Sequence, residues 1–141
     1  MKNIYYIFLI LLSCSLSMQA QSGKQKKADR LYNDFAYLKA TEVYKELIED
    51  DYNVVRNSQK LGDAYMMLRS PENAVHYYGD IIEDSTVSPE YYYKYAQALR
   101  GVKRYDESRT WLRRYLESGN RSDEIETMLE KDEFRSKATY K

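Results

Sequence analysis

A period of 34 residues constrains this chain more than any other feature. Three segments align without a gap: ADRLYNDFAYLKATEVYKEL from Ala28, GDAYMMLRSPENAVHYYGDI from Gly62 and AQALRGVKRYDESRTWLRRY from Ala96. Small residues open each segment and recur at Ala40, Ala74 and Ser108, the two places where paired helices must approach closely. Tyr44, Tyr78 and Leu112 follow four residues later, and Leu47, Ile81 and Tyr115 come one turn beyond. Together they draw an apolar stripe with helical spacing. A period of this length makes a helical hairpin the unit, and such a unit buries its apolar face only by stacking on its neighbours.

Local signals divide the units into helices. Tyr37 and Tyr105 open two of the second helices, and Pro71 takes that place in the middle unit, where its fixed dihedral suits a first helical position. Ser70 before Pro71 and Glu72, and Ser88 before Pro89 and Glu90, read as N-caps; Gly119 marks where the last paired helix stops. Gly62 inside a helix costs about 1 kcal/mol relative to alanine, which predicts close contact with the backbone of a neighbouring helix. In YYYKYAQALRG (91–101), Tyr92, Tyr95 and Leu99 share one face and are expected in the core, while Tyr93 lies on the other. From Ser122, SDEIETMLEKDEFRSK places acids early and bases late with a narrow stripe of Ile125, Met128 and Leu129. This predicts a helix over 120–136 that covers the open end of the stack, with 137–141 as a tail.

At the other end, Lys2, an apolar run from Ile4 to Leu12 and the small-residue zone SCSLSMQA have the three zones of a secretory signal over 1–20. The run is too short to span a membrane. Cleavage after Ala20 leaves 21–26 as a short lead before an array at 27–119. The rival reading is LLSC (11–14), a loose lipoprotein box that would leave Cys14 acylated. Cys14 is the single cysteine, so signal cleavage leaves no thiol, disulfide or cysteine metal site. Lysine plus arginine and aspartate plus glutamate each count 22, so no field of one sign draws the whole molecule onto nucleic acid or an anionic membrane.

The pattern resembles the tetratricopeptide repeat. The match is best in the middle unit, where Leu61, Gly62, Tyr65, Ala74 and Tyr78 fall at the family's signature places. Ala28, Ala40 and Tyr44 hold those places in unit one, and Ala96, Leu99, Ser108 and Leu112 in unit three. The resemblance implies an all-α fold of three helix pairs, stacked as a right-handed superhelix with a C-terminal capping helix. It also implies a concave groove, lined by the first helix of each pair, that receives an extended peptide or a partner's helix. On this phase the groove displays Tyr32 and Asn33 from unit one, and Arg56, Gln59, Asp63, Met66 and Met67 from unit two. Unit three adds Tyr93, Lys94, Gln97 and Arg100. Exposed methionine and tyrosine beside a few charges suit protein binding, the alternative being ordinary solvent-facing residues of a spacer. The lysine and asparagine set with which some chaperone-binding members clamp a C-terminal carboxylate is missing, with Gln25 and Asp29 at its first two places.

Chemistry finds little foothold. His76 is the single histidine, expected to face solvent on the second helix of unit two, and no GxGxxG, GxSxG or phosphate loop occurs. No enzyme activity, cofactor or metal site is expected. The whole chain is similar to the N-terminal region of exported OmpA-family proteins associated with type IX secretion and gliding machinery. That resemblance implies a periplasmic place near the outer membrane and a scaffold role. The expected partner is another envelope or secretion-machinery protein, or a peptide segment of one, with no nucleic acid. Two other readings stand beside the periplasmic scaffold: an outer-membrane assembly factor anchored through acylated Cys14, and a structural spacer truncated from a larger OmpA-family protein.

Overall fold

The structure, a computed structural model, describes residues 19–120 and 122–139. Most of the expected signal segment, Cys14 included, lies outside the described residues. Among the described residues seven helices follow one another: α1 (19–33), α2 (Tyr37–Glu49), α3 (Val54–Met67), α4 (Pro71–Ile81), α5 (Glu90–Gly101), α6 (Tyr105–Glu117) and α7 (Asp123–Thr139). No strand occurs among the described residues. From α2 onward each helix packs on the next in the chain, so the pairs α1–α2, α3–α4 and α5–α6 form a stack with α7 against its far end. Two expected boundaries move. Residues 21–26 are part of α1 rather than a lead: Gln25 is buried, and Lys24 pairs with Glu46 and Asp50. The last helix runs to Thr139, so 137–139 are helix rather than tail.

The 34-residue phase is the phase of the core. Ala28, Ala40, Ala74, Ala96 and Ser108 are fully buried, as are Tyr44 and Leu112, with Tyr78 nearly so. At Gly62 a Cβ atom would lie 2.4 Å from Cε1 of Tyr78 and under 3 Å from two more ring atoms. The close partner is therefore the Tyr78 ring, not the helix backbone expected from the sequence. Tyr95 and Leu99 enter the core as expected, while Tyr92 is half-buried against Trp111 with ring centroids 5.4 Å apart.

The turn inside each hairpin repeats with the same period. Phe35, Arg69 and Lys103 adopt φ of 60°, 56° and 63°. In the first of these turns the Phe35 amide donates to the Tyr32 carbonyl at 3.1 Å and the Ala36 amide to Leu31 at 2.9 Å. Arg69 with Ser70, and Lys103 with Arg104, repeat both bonds. This is the paired-bond ending in which a left-handed residue satisfies the last carbonyls of a helix. None of the three is glycine, so each turn holds a conformation that costs an ordinary residue roughly 1–2 kcal/mol. The expected serine caps are not made through their hydroxyls: Ser70 Oγ instead accepts from Asn73 Nδ2 at 2.8 Å, and α5 begins after Pro89 without a side-chain cap. Gly119, at φ 95°, does end α6.

Gly62→Ala sets two effects against each other. Alanine gains about 1 kcal/mol of helix propensity, whereas a methyl group forced into the Tyr78 ring costs about 1–3 kcal/mol through overpacking. The ring is held by its own hydrogen bond to Asp63, so the steric effect is expected to win by about 1 kcal/mol, a fall of about 4 °C in thermal melting followed by circular dichroism. An unchanged or higher melting temperature would show that the ring moves aside freely.

Candidate protein-binding groove

The first helices α1, α3 and α5 stand side by side and enclose a cleft of about 220 Å³. Tyr32 comes from α1, Asp63, Met66 and Met67 from α3, Lys94 and Gln97 from α5, and Tyr78 closes the floor from α4. Met67 is 58% exposed where it lines this cleft. Tyr32 is fixed in place: its ring meets Tyr37 edge-on at 5.3 Å and Tyr44 at 6.4 Å, and the Lys60 ammonium sits 4.6 Å from its centroid.

Beneath the apolar side chains lies a polar device that is used twice. Tyr44 Oη donates to Asp29 at 2.8 Å, and 34 residues on Tyr78 Oη donates to Asp63 at 2.6 Å. The next unit then supplies a cation to each carboxylate, Arg56 to Asp29 at 2.9 Å and Lys94 to Asp63 at 3.2 Å. Tyr91 adds a third donor to Asp63 at 3.3 Å. Each aspartate thus joins the second helix of its own unit to the first helix of the following one. Burial and the neighbouring carboxylate push the Tyr44 and Tyr78 phenols far up, and the same causes push Tyr91 to about 12. Burial works against the Lys94 ammonium, but Asp63 and Glu90 outweigh it and raise its pKa. Burial likewise opposes the Asp29 carboxylate, yet the Arg56 and Tyr44 hydrogen bonds bring it below the usual range. In unit three Gln97 and Leu112 occupy the aspartate and tyrosine places, and the device ends there.

The residues expected in the groove therefore divide. Tyr32, Asp63, Met66, Met67, Lys94 and Gln97 line the cleft. Arg56 and Gln59 line a separate indentation of about 360 Å³ at the start of α3, beside Asn53 and Thr86. Asn33 is exposed at the end of α1 and lines neither. Tyr93 turns away to pack on Tyr115, ring centroids 5.6 Å apart, in the small core that holds Ala96, Leu112 and Ile125. Arg100 is not an open groove residue either: its Nε donates at 2.9 Å to Asp132, which is fully buried and also accepts from Ser108 Oγ at 3.0 Å. The charge that α7 brings against unit three takes Arg100 out of the groove. Asp132 and Tyr91 were missed from the sequence, although both were in phase. Position 132 falls 34 residues after Ala98 and twice that after Ala64, both fully buried, but a carboxylate there reads as surface. His76 is exposed as expected, tilted on Tyr77 with Nδ1 3.6 Å from Asp80.

No family model matches the sequence, and no curated protein matches it either. Solved structures share the fold. The type III secretion chaperone SycD of Yersinia enterocolitica, in complex with a peptide of the translocator YopD, superposes with a TM-score of 0.64 at 19% identity, over 82% of this chain and 93% of that one. The first TPR of Spaghetti (RPAP3), bound to the HSP90 peptide SRMEEVD, gives 0.66 at 19% identity over 87% and 95%. PcrH from Pseudomonas aeruginosa gives 0.62 at 14% identity over 87% and 93%. The chain thus has a tetratricopeptide-like all-α repeat fold.

Two measurements probe the groove and its edge. A phenol whose folded pKa is raised stabilises the fold fully below its unfolded value near 10 and loses that contribution as pH rises past it. Tyrosinate absorbance should accordingly show Tyr44, Tyr78 and Tyr91 ionising above the ordinary tyrosine range, together with loss of helix. A single step near 10 with helix retained would contradict the buried clamps. At the far end, Asp132→Ala leaves the part-buried Arg100 guanidinium without its partner, at a cost of about 3 kcal/mol. Hydrogen exchange should then accelerate throughout α7 while α1 to α4 keep their protection; uniform acceleration would mean that α7 is not a separable cap.

Proposed function

We propose that the protein is a non-enzymatic interaction scaffold of the cell envelope, whose concave cleft takes an apolar side chain from a segment of a partner protein. The observation that carries this reading is Met67, half in solvent beside Met66 and Tyr32, above a floor of hydrogen-bonded tyrosine and aspartate. Methionine adapts to an incoming side chain, while the fixed floor keeps the site from collapsing into itself. Two structures of the same fold carry peptides, of YopD and of HSP90, which supports a peptide-like ligand here. Gln25 and Asp29 stand where a terminal carboxylate would need cations, so an internal segment suits this groove better than a chain end.

The three-zone N-terminal segment and the similarity to exported OmpA-family proteins support a periplasmic place near the outer membrane, with an envelope or secretion-machinery protein as partner. Processing after Ala20 gives a free scaffold, and acylation of Cys14 a tethered one; the cleft serves both. A photo-reactive residue placed at Met67 should cross-link a discrete envelope protein in cells, and Met67→Glu in an otherwise native chain should cut co-purification of that protein by about tenfold without changing the melting temperature. Cross-linking from His76 on the opposite side, but not from Met67, would move the interface off the cleft.

A further inference from the structure

The two ends of the stack carry opposite charge. The face that a first helix turns to the preceding unit is defined by contacts in α5, where Tyr91 and Lys94 reach Asp63 and the Tyr95 hydroxyl lies against Gly79. The equivalent places in α1 are Gly23, Lys26 and Lys27, with Arg30 one turn on where α5 has Ala98. All four are exposed, and among the described residues none of the three cations takes part in an ion pair. At the other end α7 keeps the phase of a first helix. Ile125 and Asp132 are buried against unit three. The side that α5 turns to its own second helix, through Tyr92, Ala96 and Leu99, is in α7 Glu126, Glu130 and Glu133. These three are exposed, Phe134 beside them is 75% exposed, and Glu133 alone is paired, with Lys137 on its own helix at 2.7 Å.

We propose that copies of this chain associate head to tail, the basic face of α1 docking on the acidic face of α7 of another copy. The spacing fits: Lys26 to Arg30 and Glu126 to Glu130 each span four residues, about 6 Å along a helix, so the charges of one face meet those of the other within two turns. A chain of 22 basic and 22 acidic side chains has no net charge to attract an unrelated acidic or basic partner at long range, but charge sorted to opposite ends makes it complementary to itself. Such a contact joins different surfaces of the two copies, so it grows open chains unless the rotation closes a ring. The cleft stays open in every copy, and the inference stands independently of what the cleft binds.

Sedimentation velocity of the full chain at low salt should show mass rising with concentration, and at about 1 M salt, where charges are screened beyond about 3 Å, a monomer. Lys27→Glu with Arg30→Glu should remain monomeric at low salt, and so should Glu126→Lys with Glu130→Lys, both with unchanged helix content and melting temperature. Mixing the two variants should restore association, because each then offers a face opposite in sign to one on the other. A monomeric native chain at low salt, a fixed dimer indifferent to the substitutions, or a mixture that stays monomeric would each overturn the proposal.

Discussion

Each hairpin turns on one contact, between the large residue of the second helix and the small residues placed opposite it. Tyr78 shows why. Its ring lies where a Gly62 side chain would be, and its hydroxyl reaches past that point to Asp63. A smaller residue at 78 would leave a void, and a larger one at 62 would push the ring away from the carboxylate. Apolar packing and the polar clamp are thus satisfied by one side chain in one position. Asp63 then takes Lys94 and Tyr91 from the next unit, so the contact within a hairpin also sets how the following hairpin is laid on it.

This coupling explains which features could be read from the sequence. The small places 28, 62 and 96, and 40, 74 and 108, and the large places 44, 78 and 112 show in the sequence because volume in a packed core depends on residue identity, and identity is what a sequence records. The hairpin turns do not show in that way. Phe35, Arg69 and Lys103 take a left-handed conformation without glycine, held by backbone bonds that any residue can make. Ser70 does precede α4 as its N-cap, but its hydroxyl makes no cap bond, and Pro89 rather than Ser88 takes the N-cap place before α5.

The groove was legible in its phase and less so in its membership. Six expected residues meet at the cleft, since a 34-residue offset places equivalent residues of α1, α3 and α5 side by side. Tyr93 and Arg100 were misplaced for a single reason: both depend on what lies beyond unit three. Tyr93 packs on Tyr115 in the core that Ile125 closes, and Arg100 answers the buried Asp132, so their environment is set by α7 and not by the repeat. A periodic argument holds where each unit has the same neighbours. At a terminal unit the neighbour changes while the phase does not.

The third unit is where this difference bears on function. Units one and two each hold an aspartate between a tyrosine and a cation, so their inner faces are spoken for by bonds that cross to the next unit. Gln97 replaces the aspartate in unit three and Leu112 the tyrosine, which leaves an uncharged amide on the cleft wall facing Met66 and Met67. An amide offers both a donor and an acceptor, and reorienting it costs far less than breaking an ion pair. The cleft therefore has one rigid side, built from clamped tyrosines, and one adaptable side of methionine and glutamine. Under the proposed function, discrimination among apolar side chains would lie in the shape of the methionine wall rather than in charge.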